Sequence, residues 1–236
     1  MKEINKSERS SDLVENKLIR AVMDGVYAPG SYLPPERDLA LSLGVARPTL
    51  REALGRLGRD GWFTVRKGQP TQVNDFWSKG NLNTLANIAQ NTDRFPQEFV
   101  IHLLEVRAAL APAFTRSAVS CNPARVVAVL AESGELEDSS EAFAQFDWQL
   151  QKALSILSGN PVYLLILNSF DVVYVQLARQ YFSRRENRQA SQKFYRRLLT
   201  SAMAASPGEA ERFTREAMEE SIELWKNRPV EEAPTA

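Results

Sequence analysis

Residues 36–61 read ERDLALSLGVARPTLREALGRLGRDG, and this stretch decides the fold of the N-terminal part of the chain. Apolar residues recur at helical spacing on both sides of Gly44, which permits a tight turn between two helices. Ala40 is small enough to let these helices cross closely. The shared core is predicted to hold Leu39, Leu43, Val45, Leu50, Leu54 and Leu57. The pattern therefore predicts a helix-turn-helix.

The flanks of this stretch extend the prediction to a winged helix-turn-helix over residues 12–74. On the N-terminal side, five apolar residues recur with helical spacing: Leu13, Leu18, Ile19, Val22 and Met23. That helix is predicted to end in the segment DGVYAPG. On the C-terminal side, WFTV and TQVN flank RKGQP, which predicts a two-stranded hairpin with a basic tip. Residues 1–11 are polar and are predicted to be disordered.

Basic residues are concentrated where such a motif meets DNA. The whole chain has 29 Lys and Arg against 29 Asp and Glu, but residues 37–67 hold seven basic residues against three acidic ones. Arg47, Thr49 and Arg51 lie near the start of the third helix, the part that enters the major groove. Arg37 is placed for a phosphate or base contact. The hairpin tip is placed for the minor groove by Arg66, Lys67, Gly68 and Gln69. The alternative is a packed helical cluster whose arginines form only a solvated face.

From about residue 81 onward the chain is predicted to be helical almost throughout. Residues 75–80 are predicted to form a linker, and residues 229–236 a disordered tail. Helical segments are predicted at 81–91, 96–119, 123–133, 139–158, 160–185, 187–205 and 208–228. The fold class is therefore mainly α: an N-terminal winged helix-turn-helix, with three helices and a two-stranded β-hairpin, and a C-terminal all-α bundle of about seven helices over residues 81–228.

The motifs of several functional classes are missing from the sequence. No phosphate-binding glycine loop, GxSxG or histidine-base motif occurs, so we expect no enzyme and assign no catalytic residue. The single histidine, His102, cannot form a multi-histidine metal site, and the single cysteine, Cys121, cannot form an intrachain disulfide. No apolar stretch reaches the roughly 18–20 residues of a membrane helix. We expect a cytoplasmic protein with no membrane partner, metal or cofactor.

Arg107 lies in the otherwise apolar run LLEVRAALAPAF, at helical spacing from Leu103. It is interpreted either as a snorkelling arginine or buried ion pair, or as a cation for the phosphates of a nucleotide-containing ligand. Tyr174, Tyr181 and Tyr195 also fall beside apolar neighbours on predicted helices, where aromatic residues usually belong to the core. Bundle interiors are common ligand sites, so Arg107 is a candidate for a ligand pocket.

The stretch LPPERDLALSLGVARPTLREALGRLGRDGWFTVRKGQPTQVNDFW resembles the DNA-binding region of the GntR family of bacterial regulators. Together with LEVRAAL, SGNPVYLLILN and SIELW, it resembles the FadR group of that family over residues 10–228. The resemblance implies an operator-binding domain, a helical domain that binds long-chain fatty acyl-CoA as its effector, and a homodimer. It implies DNA contacts at Arg37, Arg47, Thr49, Arg51, Lys67 and Gly68. The candidate ligand-binding residues are Leu103, Arg107, Tyr174, Tyr181, Ser221 and Trp225.

The chain departs from that group at several of these positions. Ala46 and Pro48 stand where threonine is usual, and Ala46 has no side-chain oxygen to cap the third helix. Lys67 replaces a histidine at the wing tip. Ala217 and Met218 replace a tyrosine and a glycine, and the bulk of Met218 is expected to narrow or redirect the pocket.

The sequence thus predicts a transcription regulator that binds double-stranded operator DNA and is released by long-chain acyl-CoA. The resemblance implies that it represses fatty-acid degradation genes and activates unsaturated fatty-acid synthesis genes. One alternative is a GntR regulator that responds to a different small organic acid or CoA ester. Another is a helical ligand-binding or acyl-transfer protein whose basic module contacts RNA or a membrane.

Overall fold

A computed structural model describes residues 6–92 and 95–228, which form two units that divide between residues 93 and 94. The first unit contains α1 (Lys6–Met23), α2 (Glu36–Leu43), α3 (Arg47–Arg59), β1 (Phe63–Thr64), β2 (Gln72–Val73), α4 (Phe76–Lys79) and α5 (Leu82–Asn91). The second contains α6 (Gln97–Cys121), α7 (Pro123–Ala131), α8 (Ser140–Leu157), α9 (Pro161–Asn168), α10 (Asp171–Phe182), α11 (Arg185–Met203) and α12 (Pro207–Lys226). The predicted fold class, mainly α with a small wing, is confirmed.

Gly44 ends α2 in the left-handed conformation, with a φ of 71°, as its place in the sequence predicts. The N–H of Val45 donates to the carbonyl of Ala40, which closes the turn before α3. The core of the helix pair is formed by Leu39, Leu50, Leu54 and Leu57, which are all buried. Of the predicted core residues, Leu43 and Val45 are only half-buried, because they lie at the turn.

The wing is a short antiparallel ladder in which Phe63 pairs with Val73 and Thr64 with Gln72. Tyr32 adds an isolated bridge to Gln72. Trp62 and Phe63 are almost completely buried beneath the ladder, whereas residues 65–70 at the tip are exposed. Aromatic residues at the base of the hairpin therefore anchor the wing and leave its basic tip in solvent.

The boundaries of the first unit differ from the prediction at both ends. Helix α1 begins at Lys6, so residues 6–11 are helical rather than disordered. Ser11 is buried and donates a hydrogen bond to Glu15, which places this turn in the packed part of the helix. Residues 1–5, and the predicted disordered tail at 229–236, lie outside the described residues.

Residues 75–80, predicted as a linker, and residues 81–91, predicted as the first helix of the C-terminal domain, group with the first unit by their contacts in this structure. Phe76 of α4 stacks on Trp62, with ring centroids 4.8 Å apart. Helix α5 packs on α1, and the amide of Asn91 donates to Asn16 at 3.0 Å. At the start of α5, Asn83 donates to Asp60 at 3.0 Å. These contacts fix residues 76–91 against the winged motif.

The second unit is built around α8, which packs against α6, α7, α9 and α10, while α12 packs along α6 and α11. The predicted single helix at 160–185 is two helices, and the axes of Pro161–Asn168 and Val173–Phe182 differ by 78°. Asp171 accepts hydrogen bonds from Trp148 and Lys152 of α8, which hold the start of α10 at the break. In the described residues no single helix is long and apolar enough to span a membrane; only this bent pair meets that criterion, as two helices taken together.

Candidate functional site

The start of α3 and the start of α2 carry the residues of the predicted DNA-reading face of the first unit. Arg37, Arg47 and Arg51 are exposed on this face, and Thr49 is half-buried. The guanidinium of Arg51 donates to Glu36 at 2.7 Å, and that of Arg37 donates to Asp38 at 3.0 Å. Both ion pairs are solvent-exposed, and such pairs contribute little to stability. The arginines can therefore exchange these carboxylates for phosphates or bases at small cost.

Helix α3 begins without a side-chain cap, as the alanine at position 46 predicts. Ala46 makes no capping hydrogen bond, and Pro48 lies in the first turn. The first N–H groups of a helix that lack intrahelical partners carry partial positive charge and favour anions such as phosphate. The exposed N-terminus of α3 therefore adds to the positive potential that Arg47 and Arg51 create.

One basic residue of this region has a structural role instead. The guanidinium of Arg56 pairs with Asp12 at 3.0 Å and with Glu15 at 3.2 Å, and both carboxylates belong to α1. It also pairs with Glu52 within α3. Partial burial raises the pKa of Glu15, although Arg56 opposes that shift. Arg56 therefore joins α3 to α1 and is not part of the DNA-reading face.

The wing tip presents Arg66, Lys67, Gly68 and Gln69 to solvent, as expected from the sequence. Gly68 has a φ of 74°, and a Cβ atom at this position would have no neighbour within 4 Å. The tip is closed by the N–H of Gln69, which donates to the carbonyl of Arg66 at 3.1 Å. The left-handed backbone therefore favours glycine at position 68, and Lys67 precedes it in the same turn.

The second unit encloses an apolar cavity of about 90 Å³ between α6, α8, α9, α10 and α12. Its wall includes every residue that sequence reasoning proposed for ligand binding: Leu103, Arg107, Tyr174, Tyr181, Ser221 and Trp225. These residues come from three helices that are up to 122 positions apart in the sequence, yet they surround one space. Ser221 uses its hydroxyl to donate to the carbonyl of Met218 within α12, at 2.7 Å.

A buried ion pair stands in the wall of this cavity. The guanidinium of Arg107 donates to Asp147 at 2.9 Å, and the two side chains are only 18% and 2% exposed. Tyr195 donates its hydroxyl to the other carboxylate oxygen at 2.8 Å, and Tyr174 also donates to Asp147. Of the two interpretations of Arg107, the ion pair is the arrangement that this structure contains. Both residues of the pair also line the cavity.

The ionisation of these groups follows from their burial. Burial raises the pKa of Tyr174 and of Tyr195 well above the ordinary value near 10, and the negative charge of Asp147 raises both further. Burial alone would lower the pKa of Arg107, but the oxygens of Tyr174 and Asp147 more than reverse this, so its pKa is raised. At neutral pH the cluster therefore holds a cationic arginine and neutral tyrosines that donate hydrogen bonds.

A second, much smaller cavity of about 10 Å³ lies beside the first. The two share Arg107, Asp147, Tyr181 and Ser221 in their walls. Met218 is 2% exposed and lines only the smaller one. The side chain that was expected to narrow or redirect the pocket therefore lines the smaller cavity and not the main one.

Three polar residues in or next to the cavity wall were not among the candidates from the sequence. Asp147 and Gln151 line the cavity, and Tyr195 donates to Asp147. Tyr195 was noted only as a possible core residue. Asp147 and Gln151 lie four residues apart on α8, inside the largely apolar segment FDWQLQKAL. Two polar residues at helical spacing on an otherwise buried face are a signal that could have identified them.

The single histidine and the single cysteine of the chain lie apart from both sites. His102 and Cys121 are both exposed on α6. Across the described ranges, no group of three or more His, Cys, Asp or Glu residues is arranged to hold a metal ion. The reading face of the first unit and the cavity of the second are therefore the two candidate recognition sites.

Relatives of this chain are known at about 40% identity. A protein of Shewanella pealeana named "Fatty acid metabolism regulator protein" is 43% identical over 194 residues, which is 82% of this chain and 81% of the relative. A protein of the same name from Edwardsiella ictaluri is 40% identical over 221 residues, covering 93% and 92%. The solved structure of Lar, described as controlling the Listeria monocytogenes agr system, is 16% identical with a TM-score of 0.61, covering 92% and 96%. This last likeness concerns the fold alone.

Two protein-family profiles divide the chain between them. The profile of the bacterial regulatory proteins of the gntR family matches residues 11–73, which contain the winged helix-turn-helix. The profile of the FadR C-terminal domain matches residues 74–231, which contain the cavity. Members of the GntR family are transcription regulators that bind DNA. The chain therefore belongs to the GntR family of bacterial regulatory proteins, in the group that carries the FadR C-terminal domain.

Proposed function

We propose that this protein is a transcription regulator of fatty-acid metabolism that binds operator DNA through its first unit and releases it when long-chain fatty acyl-CoA binds the second. The observation that carries the proposal is the cavity, whose apolar wall contains one buried cation, Arg107. An apolar chamber with a single charged pair is suited to a ligand with a long hydrocarbon part and an anionic or strongly polar head. The name shared by the relatives supports a role in the regulation of fatty-acid metabolism.

On the DNA side, the exposed arginines of α3 read base edges and the wing tip reaches the neighbouring groove. Arg47 and Arg51 are placed for bidentate contacts with guanine, and Lys67 is placed for a backbone or minor-groove contact. A homodimer would present two copies of this face, and its two-fold symmetry would require a pseudo-palindromic operator. The contacts of Arg51 with Glu36 and of Arg37 with Asp38 would break on binding.

On the ligand side, binding requires a change of structure. The cavity of about 90 Å³ is smaller than the roughly 300–1,000 Å³ of pockets that enclose organic ligands of moderate size. Long-chain acyl-CoA would therefore bind an expanded form in which the helices around the Arg107–Asp147 pair have separated. A ligand that binds one form better shifts the population toward it, and DNA is released if the expanded form binds DNA poorly.

The targets follow from the resemblance to the FadR group. We infer repression of fatty-acid degradation genes in the absence of acyl-CoA, and activation of unsaturated fatty-acid synthesis genes. Both effects would end when acyl-CoA accumulates, because both depend on the operator-bound form. The regulator would thus link the supply of fatty acid to the choice between its degradation and its synthesis.

One observation favours a second candidate, a GntR regulator that responds to a smaller organic acid or another CoA ester. The present volume of about 90 Å³ suits a small ligand without expansion, and Arg107 can pair with a carboxylate. The two candidates share the DNA-binding function and differ only in the effector.

Fluorescence anisotropy of a labelled operator of the FadR type tests the proposal. Oleoyl-CoA, below its micelle-forming concentration, is expected to release the DNA, whereas free CoA, acetyl-CoA and short dicarboxylic acids leave it bound. Release by a short acid or a short-chain ester, but not by oleoyl-CoA, would establish the second candidate instead. Failure to bind any such operator at low salt would overturn the DNA-binding function itself.

A further inference from the structure

Gln151 is a buried polar side chain on the cavity wall that has no role in the function proposed for the protein. It lies on α8 one helical turn after Asp147 and is 1% exposed. Both amide atoms, Nε2 and Oε1, are buried, and neither has a hydrogen-bond partner among the described residues. Buried polar groups in proteins nearly always have a hydrogen-bond partner. An amide whose N–H and C=O groups are both unused therefore indicates that a ligand entering the cavity supplies the partner.

Other unpartnered groups in the same wall are donors only. The Nε atom of Arg107 and the Nε1 atom of Trp225 are buried without partners among the described residues. A thioester carbonyl or a phosphate oxygen accepts hydrogen bonds and is therefore matched by these donors. The amide of Gln151 offers a donor and an acceptor side by side. A head group whose oxygens already accept from Arg107 and Trp225 does not need this amide.

The group that complements a side-chain amide inside an apolar chamber is a hydroxyl, which both donates and accepts. A methylene group does neither, so an unsubstituted acyl chain lying against Gln151 would leave the amide unpaired. Sites built to bond a hydroxyl reject analogues that lack it, because the buried polar groups then remain unpaired. Other residues of the same wall, such as Val173, Leu177 and Ala178, are apolar and cannot supply the missing partner.

We propose that Gln151 is a specificity-determining residue that favours acyl chains bearing a hydroxyl group over plain hydrocarbon chains. The inference rests on the proposed acyl-CoA-binding function and names the substrate class within it. The ligand would be a hydroxyacyl-CoA whose hydroxyl donates to Oε1 and accepts from Nε2, while Arg107 and Trp225 hold the polar head.

Isothermal titration calorimetry of the full chain tests the proposal with hexadecanoyl-CoA and its 3-, 10- and 12-hydroxy derivatives. The informative variant is Gln151→Leu, which keeps a similar volume and removes both amide groups. Gln149→Leu is the matched control, because Gln149 lies two positions away on α8 and is exposed. Gln151→Met provides a second apolar variant of similar length, and circular dichroism melts confirm that each variant is folded.

In the wild type and in Gln149→Leu, at least one hydroxylated ester is expected to bind roughly tenfold more tightly than hexadecanoyl-CoA. Gln151→Leu and Gln151→Met are expected to abolish that preference by gaining affinity for the plain chain and losing it for the hydroxylated one. An equal preference in the wild type and both Gln151 variants, for every isomer, would overturn the inference, as would an equal loss for all ligands. Absence of binding by all four esters would instead contradict the proposed function.

Discussion

Replacement of Asp147 by alanine tests the importance of the buried cluster most severely. Asp147 is 2% exposed and accepts hydrogen bonds from Arg107 at 2.9 Å, from Tyr195 at 2.8 Å and from Tyr174. Removing one partner of a buried ion pair typically costs about 3–5 kcal/mol, because it leaves an uncompensated buried charge. Each tyrosine hydroxyl that loses its acceptor adds about 1–3 kcal/mol, although these losses overlap with the first.

We therefore expect Asp147→Ala to lower the free energy of unfolding of the second unit by about 4 kcal/mol or more. At roughly 2–4 °C per kcal/mol for a chain of this size, the melting temperature of that unit falls by about 10 °C. Differential scanning calorimetry measures the shift. Glu211→Ala is the control, because it removes ion pairs with two solvent-exposed arginines, Arg116 and Arg215, and should shift the transition far less.

A double variant separates the buried charge from the lost packing. Arg107→Met combined with Asp147→Leu replaces the pair by apolar side chains and is expected to be more stable than Asp147→Ala alone. A change of less than about 1 kcal/mol in Asp147→Ala would refute the reasoning. So would a double variant as unstable as the single one, because the stranded charge would then not be the cause.

Four further outcomes follow from the same structure. Because burial raises the pKa of Tyr174 and Tyr195 above the ordinary value near 10, the unfolded chain loses these protons first. The free energy of unfolding should therefore fall as pH rises above about 10, and urea titrations should show a shallower fall in Tyr195→Phe. Arg47→Ala should weaken operator binding by about 1–3 kcal/mol and relax base preference in competition assays, whereas unchanged discrimination would contradict its role. Lys67→Ala should weaken binding to all sequences alike and reduce the salt slope by about 1, and a sequence-dependent loss would oppose that assignment. Ala46→Ser should stabilise the first unit by about 1 kcal/mol through a new cap on α3, which thermal melts of the full chain can detect.

The winged motif was predictable because its signals are local. Gly44 has to adopt a left-handed φ of 71°, and leucines at helical spacing on either side of it form the core. Likewise, Trp62 and Phe63 are residue types that indicate a strand, and both are buried at the base of the hairpin. Signals of this kind depend only on residues that are close in the sequence, and the folded structure agrees with them.

The limits of the first unit were not predictable, because they depend on contacts between distant residues. The bond from Asn91 to Asn16 spans 75 positions, and no local pattern announces it. For the same reason the break before α10 was missed, since Trp148 and Asp171 meet only after folding. Helical periodicity gives the existence of α5 and α10 but not the partner against which each one packs.

The sequence predicted six residues of the cavity wall but missed Asp147 and Gln151. The six candidate residues were chosen by their resemblance to a known group and by the position of Arg107 in an apolar run, and the structure places all six on one wall. Asp147 and Gln151 were missed because a polar residue in an apolar helix is usually assigned to its exposed face. Their burial and their partners can be known only from the tertiary structure.

The most direct test of the central claim measures the linkage between the two sites in the wild-type protein. Operator affinity is determined by anisotropy at increasing oleoyl-CoA, and oleoyl-CoA affinity is determined by calorimetry with and without operator. The account predicts that oleoyl-CoA weakens operator binding by a limiting factor, and that operator weakens oleoyl-CoA binding by the same factor. Operator affinity that does not change at saturating oleoyl-CoA, with both ligands bound to the same protein, would contradict it.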